Sequence, residues 1–600
     1  MSKARFAAAL AVLACVALAG AEGARFSLWT TSDEPPHLAA ARAWRYGPGM
    51  VSNFEHPVLM KVIGGATLPA TKPELEVDET RAGRAAIPFV LALLVVATGL
   101  LGRSVAGPAA GLAAAAILAV EPTFRGHGTL VQSDVLVTLF LVAAAFALER
   151  AAARGGDRRW LAASGVLYGL AMASKYSAFP FLAAFAVVAV LRLGTKSTGE
   201  LSLKGKRGAG QRMPTRGRAS QRAAGARRDP PSSPSKKSRL FSSVSLVLVF
   251  VVLPALATLA LVQFLAYAGT TDAAFRQGLR ATFEGLPQEG AVVALAKRFP
   301  KWIAGYGAGL LFVQGVAGPG ERFNYFFGAV RGTGSLLYFP VALGIKLTTA
   351  AVLASLAAFA AAVAGLFRDP RLRRLLAART ALPAALGGAY LAAACVSNVN
   401  IGVRHALPAV PFLLVAAAAC GRALLGRQPR AYRAVLASAL LLAAAESALR
   451  LGREISFGNV LVGGPAGVPP ILSDSNVDWG QEQGLVFERV KRGDLGRVAM
   501  ASLLVDETGA SRAGVLGLAL RADADADTIF FSRFLWDLAA AIEKNGDAYP
   551  KFVWLRGWLP PLRRGIEARA TSVAPFGDAY LLLKLRPATA APSPAPGSTP

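Results

Sequence analysis

The sequence predicts an all-α polytopic membrane protein that carries a small extramembrane α/β domain at its C-terminus. The chain has 600 residues, of which 54% are hydrophobic and only 17% are charged, and its mean hydropathy is +0.45. These proportions are typical of a chain that lies largely in lipid. The net charge is +29. One long stretch at 193–239 holds a large share of it, and most of the remaining Arg residues fall in short gaps between apolar runs, as in cytoplasmic loops of membrane proteins. This pattern argues against nucleic acid as a partner.

Apolar segments recur along the first 450 residues. They lie at 6–21, 85–102, 105–120, 129–148, 160–173, 176–192, 241–267, 336–366, 381–396, 406–425 and 432–449. Several are shorter than the roughly 20 residues that span a bilayer, so their ends are approximate. The basic gaps lie at 103, 150–159, 193–239, 368–379 and 427–433. About eleven transmembrane helices with a cytoplasmic N-terminus place all these gaps inside the cell.

The same topology places residues 22–84, 121–128, 398–404 and everything after Arg450 outside the cytoplasm. The first apolar segment also resembles a secretory signal peptide, because Lys3 and Arg5 precede an Ala/Val/Leu run that ends in AGAE. Whether or not this segment is cleaved, Asp33 emerges on the outer face. Residues 268–335 are interrupted by Gly, Pro and charge, and we expect them to form an interfacial loop of short helices on the outer surface.

The domain division predicted from composition is a transmembrane catalytic domain at 1–450, an outer α/β domain at 451–586 and a disordered tail at 587–600. The insert at 193–239 holds thirteen Lys/Arg and two acidic residues; we expect a disordered cytoplasmic loop attracted to anionic lipid. In the outer domain, 497–505 and 580–586 have strand patterns, and 481–491 and 534–544 have helix patterns. The three cysteines lie inside apolar runs, which predicts no disulfide and no Cys-based metal site.

An acidic stretch, Ser32-Asp-Glu-Pro-Pro-His37, follows the first apolar segment. A carboxylate at the edge of a bilayer is a natural general base, which favours an enzyme over a scaffold. On the predicted topology the four histidines share this outer side or its boundary with eight charged residues: Asp33, Glu34, Glu55, Lys61, Asp134, Lys175, Arg404 and Asp474. A charge near bilayer depth costs about 3 kcal/mol or more on insertion scales, so the whole set predicts a water-accessible functional cavity. Any single member is equally well explained as a side chain that reaches to the interface.

Such a cavity suits displacement at an anionic, lipid-linked substrate. Lys and Arg would hold phosphate oxygens as they leave, and a carboxylate would take a proton from the attacking group. A divalent metal is compatible with Asp, Glu and His, but no spacing here is diagnostic, so no metal ligand and no certain cofactor is assigned.

Several motifs together resemble a known family. They are DEPPHLAAARAWRYGPGMVSNFEHPVLMKVIGG, EPTFRGHGTLVQSDV, GLAMASKYSAF, YFPVALGIK, SNVNIGVRHALPAVPFLL and ILSDSNVDWGQE. In this order, over residues 6 to 492, they resemble the lipid-carrier-dependent glycosyltransferases of the protein O-mannosyltransferase type, which are family 39-like and have the GT-C fold.

The resemblance implies an integral transferase of the inner (plasma) membrane. It would pass a sugar from a polyprenyl or dolichyl phosphate to an acceptor on the non-cytoplasmic face: a protein hydroxyl, a lipid or a glycan. Asp33 and Glu34 correspond to the family's acidic catalytic motif, and Asp33 is the first choice as general base. Asp134 corresponds to a second acidic position that orients the acceptor or the sugar. Direct attack on a β-linked carrier sugar would invert the anomeric carbon.

The resemblance further implies a set of residues that bind the carrier phosphate or donor: His56, Lys61, Lys175, Lys346, Arg404 and His405. A third set contacts substrate or has a structural role: Glu55, Asp474, Asn476, Asp478 and Trp479. The chain departs from the family at Val58, where the family often has a second proline after Glu-His-Pro. No motif is assigned after Lys491, so the acceptor stays open.

Two other classes of function would also use a polytopic chain. A transporter or flippase of a lipid-linked or anionic substrate would gather buried charges too, but it would show paired repeats and broken midplane helices, and no convincing repeat is found. A membrane-anchored binding protein would use the outer domain and would leave the DEPPH stretch unexplained.

Overall fold

The computed structural model describes residues 1–208, 236–368, 370–426, 428–502, 505–516, 525–545 and 553–586. Its N-terminal part is helical throughout. The helices are α1 (Lys3–Ser27), α2 (Glu34–Tyr46), α3 (Val58–Thr67), α4 (Glu76–Gly83), α5 (Ile87–Ala106), α6 (Pro108–Val120), α7 (Pro122–His127), α8 (Asp134–Ala153), α9 (Arg158–Ser174) and α10 (Ala178–Gly208).

The central part continues with α11 (Lys236–Val247), a π-helical turn (Leu248–Val252), α12 (Leu253–Tyr267), α13 (Asp272–Phe283), α14 (Glu289–Arg298), α15 (Lys301–Val316), α16 (Tyr338–Lys346), α17 (Thr349–Arg368), α18 (Pro370–Cys395), α19 (Val410–Leu425) and α20 (Pro429–Ala448). A 3₁₀ helix at Val403–Ala409 precedes α19. A short antiparallel hairpin, β1 (Asn324–Phe326) and β2 (Ala329–Arg331), lies between α15 and α16.

Six segments within the described residues are long and apolar enough to cross a membrane: Lys3–Ser27, Glu76–Ala106, Asp134–Ala153, Leu240–Tyr267, Val403–Leu425 and Pro429–Ala448. Five shorter apolar helices lie at Val58–Thr67, Pro108–Val120, Ala178–Gly194, Thr349–Ala364 and Thr380–Cys395. The chain is an integral membrane protein, as predicted. The number of about eleven spans stays a prediction. Several of these helices are shorter than the roughly 20 residues that cross a bilayer, and they would span only a locally thinner membrane.

Two predicted boundaries differ from the structure. The apolar run at 336–366 is divided, because Leu347 is extended and α17 starts anew at Thr349. Helix α10 continues through the start of the predicted disordered insert to Gly208, and α11 begins within its end at Lys236. Leu, Lys and Glu have high helix propensity, which explains a helical start to the insert. Residues 209–235 and the predicted tail at 587–600 lie outside the described residues.

The C-terminal region is a mixed α/β unit. Its elements are α21 (Gln483–Val490), β3 (Val498–Ala501), α22 (Glu507–Arg512), β4 (Val515–Leu516), β5 (Thr528–Ser532), α23 (Arg533–Asn545), α24 (Val553–Arg569), β6 (Ala570–Phe576) and β7 (Tyr580–Leu585). The five strands form one sheet in the order β4-β3-β5-β7-β6. Strand β3 runs parallel to β4 and β5, whereas β7 runs antiparallel to β5 and β6. The predicted fold class, a helical membrane protein with a small C-terminal α/β region, is confirmed.

The first outer loop is tied to the segment that leads into this C-terminal unit. The amide of Trp29 donates to the carbonyl of Gln481, and the amide of Ser32 donates to the carbonyl of Trp479, both at 2.9 Å. The side-chain oxygen of Asn476 accepts from the amide of Val403 at 3.0 Å. These contacts bring together three motifs whose contacting residues are at least 73 positions apart in sequence, and they define where a site can form.

Candidate active site

Asp33 stands at the N-cap of α2 without capping it. An N-cap carboxylate normally accepts from the backbone N–H groups of the second or third helical residue. Here those residues are Pro35 and Pro36, and proline has no N–H. The Pro-Pro pair therefore starts the helix and at the same time leaves the carboxylate of Asp33 without its local partner, so that it is available to groups outside the helix.

Arg404 is the partner that Asp33 has instead. Its Nη1 donates to Oδ2 of Asp33 at 2.5 Å, and the guanidinium lies 4.0 Å from the ring centroid of Trp479. The Arg404 side chain is only 9% exposed, whereas that of Asp33 is 32% exposed. The cation is thus held by a stacked ring, while the carboxylate keeps one side open to a substrate.

The backbone before Arg404 requires a glycine. Gly402 has φ +148°, and a Cβ there would lie 2.2 Å from Oγ of Ser475. That hydroxyl donates to the carbonyl of Ile401 at 2.5 Å. The close approach fixes the start of the 3₁₀ helix against the 474–476 turn and so sets the position from which Arg404 reaches Asp33.

Burial tends to raise the pKa of Asp33, but the charges of Arg404, His37 and Arg322 and the hydrogen bond from Arg404 outweigh it, and the pKa is lowered. At neutral pH the group is therefore a carboxylate. While it is paired with Arg404 it is also a weak base, because the same cation that stabilises its charge opposes the uptake of a proton.

Glu34, the second predicted catalytic carboxylate, is fully buried beside Arg84. Its Oε1 accepts from Arg84 Nε at 2.8 Å and from the Val131 amide at 2.9 Å. Its Oε2 accepts from Arg84 Nη2 at 2.6 Å and from the amide and hydroxyl of Thr31. Every lone pair that a carboxylate offers is taken, so this geometry supports a structural role for Glu34 rather than proton transfer. Sequence analysis did not identify Arg84.

Asp134 and Lys175 form an ion pair. Asp134 is the first residue of α8, and Lys175 is the C-cap of α9. The charge of Asp134 acts on both His37 and Arg404, which places the pair in the same cluster as Asp33. The two predicted residues are therefore brought together, although each neutralises much of the other's charge.

The His37 and His56 rings lie side by side at an interplanar angle of 43°, with centroids 4.4 Å apart. His37 is 1% exposed. Burial is the largest cause that lowers the pKa of His37, to about 4, and it lowers the pKa of His56 well below its usual value too. The pair is therefore neutral at physiological pH. His405 lies within electrostatic reach of His56, Lys175 and Arg404, so the same cluster includes it.

Lys61 and Glu55 lie at the edge of this cluster. The ammonium of Lys61 donates to the carbonyls of Asn53 at 2.6 Å and Ser52 at 3.3 Å. Burial lowers the pKa of Lys61 to about 7, against the attraction of Glu55. Burial and the nearby charge of Asp33 raise the pKa of Glu55. Lys61 is therefore only partly charged near neutral pH until an anion joins it.

Arg322, just before β1, is a cation that the sequence analysis missed. Its charge acts on Asp33, Glu55 and Asp474, and it forms no ion pair within the described parts of the chain. Burial raises the pKa of Asp474 to about 6, partly offset by Arg404. No signal in the sequence distinguished Arg322 from other charges in an interrupted segment, because only the hairpin fold brings it to the cluster.

Three predicted residues have their polar groups satisfied by the protein. The ammonium of Lys346 is 1% exposed and donates to the carbonyls of Ile455 and Asn476. The side-chain amide of Asn476 donates to the hydroxyl of Tyr338. The carboxylate of Asp478 accepts from the Gly480 amide and the Ser532 hydroxyl. Backbone carbonyls thus accept from the ammonium of Lys346, and its role in binding the carrier phosphate or donor stays a prediction. Trp479 contributes the ring beneath Arg404.

Within the described ranges, no group of three or more His, Cys, Asp or Glu side chains is arranged to hold a metal ion. The compatibility of the cluster with a divalent metal therefore depends on residue types alone, and no residue is assigned as a ligand.

Part of the chain is similar to a known protein family. Residues 80–201 match a family model described as dolichyl-phosphate-mannose-protein mannosyltransferase. No curated protein matches the chain.

Solved structures also resemble the chain. ArnT from Cupriavidus metallidurans bound to undecaprenyl phosphate has 12% identity and a TM-score of 0.42, over 97% of this chain and 98% of that one. The oligosaccharyltransferase AglB from Archaeoglobus fulgidus, in complex with an inhibitory peptide and a dolichol-phosphate, has 12% identity and a TM-score of 0.44, over 96% and 74%. The S. cerevisiae Pmt1-Pmt2 complex bound to the sugar donor has 16% identity and a TM-score of 0.34, over 48% and 38%. Identities and TM-scores this low assign no role to any residue.

The family match covers the helices from α5 through most of α10, together with Asp134 and Lys175 of the cluster. Over these residues it agrees with the family that the motifs resemble. Residues 80–201 of this integral membrane protein are therefore similar to dolichyl-phosphate-mannose-protein mannosyltransferases.

Proposed function

We propose that the cluster around Asp33 is the catalytic centre, and that it transfers a sugar from a polyprenyl- or dolichyl-phosphate carrier to an acceptor hydroxyl on the non-cytoplasmic face of the inner (plasma) membrane. The observation that carries this proposal is the position of the Asp33 carboxylate. It cannot cap its own helix, it is partly open, and it lies against a cation. A carboxylate arranged in this way can accept a proton, and the surrounding cations can hold a phosphate.

The reaction is a single displacement. The acceptor oxygen attacks the anomeric carbon of the donor, and the bond from that carbon to the carrier phosphate oxygen breaks. The lipid phosphate leaves with the bonding electrons, and the acceptor proton passes to Asp33. Because attack and departure take place on opposite faces, a β-linked donor gives an α-linked product. Arg404, Lys61, Lys175 and Arg322 stabilise the charge that develops on the phosphate.

Arg404 would link donor binding to base strength. In the structure its guanidinium is paired with Asp33, which lowers the pKa of that carboxyl. A carrier phosphate is a stronger anion and competes for the same donor groups. When Arg404 turns its N–H groups toward the phosphate, Asp33 loses part of its stabilisation and becomes a better base. Donor binding would then precede activation of the acceptor.

The remaining predicted residues would support this centre. Asp134 and Lys175 form an ion pair that can exchange for contacts with the acceptor and the phosphate. Glu34 would be a positioning residue, since it fixes the loop that carries Asp33 by binding Arg84 and the amide of Val131. Glu55 and Asp474, whose pKa values are raised by burial and partly by the charge of Asp33, would line the pocket beside Asp33.

The matched family is described by a mannose donor on dolichyl phosphate and a protein acceptor. A polyprenyl-phosphate hexose and a Ser/Thr peptide are therefore the first donor and acceptor to test. The side of the membrane follows from the predicted topology: a reporter enzyme fused after Arg450 should be active outside the cytoplasm. Cytoplasmic activity of that fusion would contradict the proposed location.

The reaction itself is tested with the purified full chain in lipid nanodiscs. It is given a polyprenyl-phosphate β-hexose with a labelled sugar, and a parallel sample receives the nucleotide-linked sugar instead. The proposal predicts labelled product from the lipid-linked donor only, with an α-anomeric proton by NMR. A β-linked product would contradict the single displacement. Transfer from the nucleotide-linked sugar alone would contradict the lipid carrier.

A further inference from the structure

Three imidazoles form a row beside the proposed base. His37 lies one helical turn after Asp33, so the two side chains share a face of α2. The His56 ring lies 4.4 Å from the His37 ring. His405 continues the row, because its electrostatic neighbours are His56, Lys175, Arg404 and Arg322. The row thus belongs to the same cluster as the general base and the cations that are proposed to hold the leaving phosphate.

Several polar atoms of this row and of Asn53 have no hydrogen-bond partner among the described residues. They are both ring nitrogens of His37, Nε2 of His405, and both amide atoms of Asn53, whose carbonyl binds Lys61. His37 is 1% exposed, so its nitrogens are not satisfied at an open surface. Buried polar groups in native proteins almost always have a hydrogen-bond partner. Several buried atoms without one, so close together, point to a ligand or to bound water.

The chemistry of these atoms favours hydroxyl groups over a phosphate. A neutral imidazole offers one N–H donor and one acceptor nitrogen, and a hydroxyl is likewise both a donor and an acceptor. The lowered pKa values of His37 and His56 keep both rings neutral. A phosphate would instead be expected at Lys61, Arg404 and Arg322, which supply positive charge and no acceptor.

We propose that His37, with His56 and His405, forms the subsite that binds the ring hydroxyls of the donor sugar and so determines which sugar is transferred. This proposal rests on the proposed function. In a displacement the sugar must lie between the base and the leaving phosphate, and the row is within electrostatic reach of both sides, since Asp33 acts on His37 and Arg404 acts on His405. His37 contacts the sugar directly, whereas the His56 ring packs against the His37 ring and holds it in place.

The test compares a polyprenyl-phosphate hexose with its monodeoxy analogues, using the wild type and His37→Phe in nanodiscs. A buried hydrogen bond to a hydroxyl is worth about 1–3 kcal/mol, or about fivefold to 150-fold. The wild type should therefore lose kcat/KM by about that factor for at least one deoxy position. In His37→Phe the loss at that position should vanish, and His37→Asn, which keeps a donor and an acceptor, should restore part of it.

Two controls separate a sugar contact from a general loss of structure. His127→Phe is the matched change at a buried histidine whose Nδ1 is already bonded to Gln132; it should keep the wild-type ratio between hexose and deoxy sugar, whatever its rate. Inhibition by sugar-free polyprenyl phosphate should stay close to the wild-type value in His37→Phe. Unchanged deoxy ratios in both His37→Phe and His37→Asn would overturn the proposal and leave bound water as the partner.

Failure of the proposed function is distinguishable from failure of the subsite. If the wild type transfers no sugar, the proposed function is wrong, and the subsite is then tested by binding alone. The affinity difference between sugar-bearing and sugar-free carrier should be present in the wild type and absent in His37→Phe. Equal differences in the two proteins would overturn the subsite in that case as well.

Discussion

Removal of the Arg404 guanidinium gives a direct measure of how strongly it controls the base. In Arg404→Gln the Asp33 carboxylate loses its ion-pair partner at 2.5 Å. Two unit charges about 4 Å apart interact by about 4 kcal/mol at an effective dielectric of about 20. The Asp33 side chain is 32% exposed, so solvent screens part of this interaction energy. A shift of about 1–3 pKa units is typical for an Asp beside an Arg.

The sign of the effect follows from the charge. The pKa of Asp33 is lowered in the wild type, so removal of the cation should raise it. Activity requires the carboxylate, and the acid limb of kcat/KM should therefore move to higher pH by about 1–3 units in Arg404→Gln. Arg404→Lys keeps a positive charge and should leave the limb near its wild-type position. Initial rates with the lipid-linked donor between about pH 3 and 9 measure the acid limb of each variant. A slower Arg404→Gln with an unmoved acid limb would refute the reasoning.

Other expected outcomes concern the buried ion pair and the buried lysine. Arg84→Met leaves Glu34 buried without its cation and should lower the free energy of unfolding by about 3–5 kcal/mol, seen as a lower midpoint of thermal denaturation in detergent. The double variant Arg84→Met/Glu34→Leu should recover much of this loss; no recovery would argue against a buried pair. The pKa of Lys61 is about 7, so kcat/KM for the donor should fall as pH rises through that value. Lys61→Arg, which stays protonated, should remove the fall; the same profile in both proteins would exclude Lys61 from the phosphate site.

Hydropathy was sufficient to predict the fold class, because apolar runs and positive gaps depend on local composition alone. The boundaries were harder. The run at 336–366 has one charge, Lys346, beside the break at Leu347, and in the structure this ammonium is satisfied by carbonyls from Ile455 and Asn476. That compensation comes from tertiary contacts, which hydropathy does not contain.

The candidate site shows the same limit. The motifs predicted that Asp33 and Arg404 would meet, and the structure pairs them. The motifs could not separate Asp33 from Glu34, because the two carboxylates are adjacent in sequence and differ only in what faces them. Pro35 and Pro36 carried a signal that was available, since they remove the amides that would otherwise bind Asp33. Arg322 carried none, because only the hairpin fold places it near the cluster.

The most direct test of the central claim is sugar transfer by Asp33→Asn, with Asp527→Asn as the matched control at a carboxylate paired with Arg497 on the surface of the C-terminal region. A general base contributes about 10²–10⁴ in rate. Turnover by Asp33→Asn should therefore fall by at least about a hundredfold, while Asp527→Asn stays near the wild type and donor binding is retained in both. Near-normal turnover by Asp33→Asn would remove this carboxylate from the role of base and contradict the proposed mechanism.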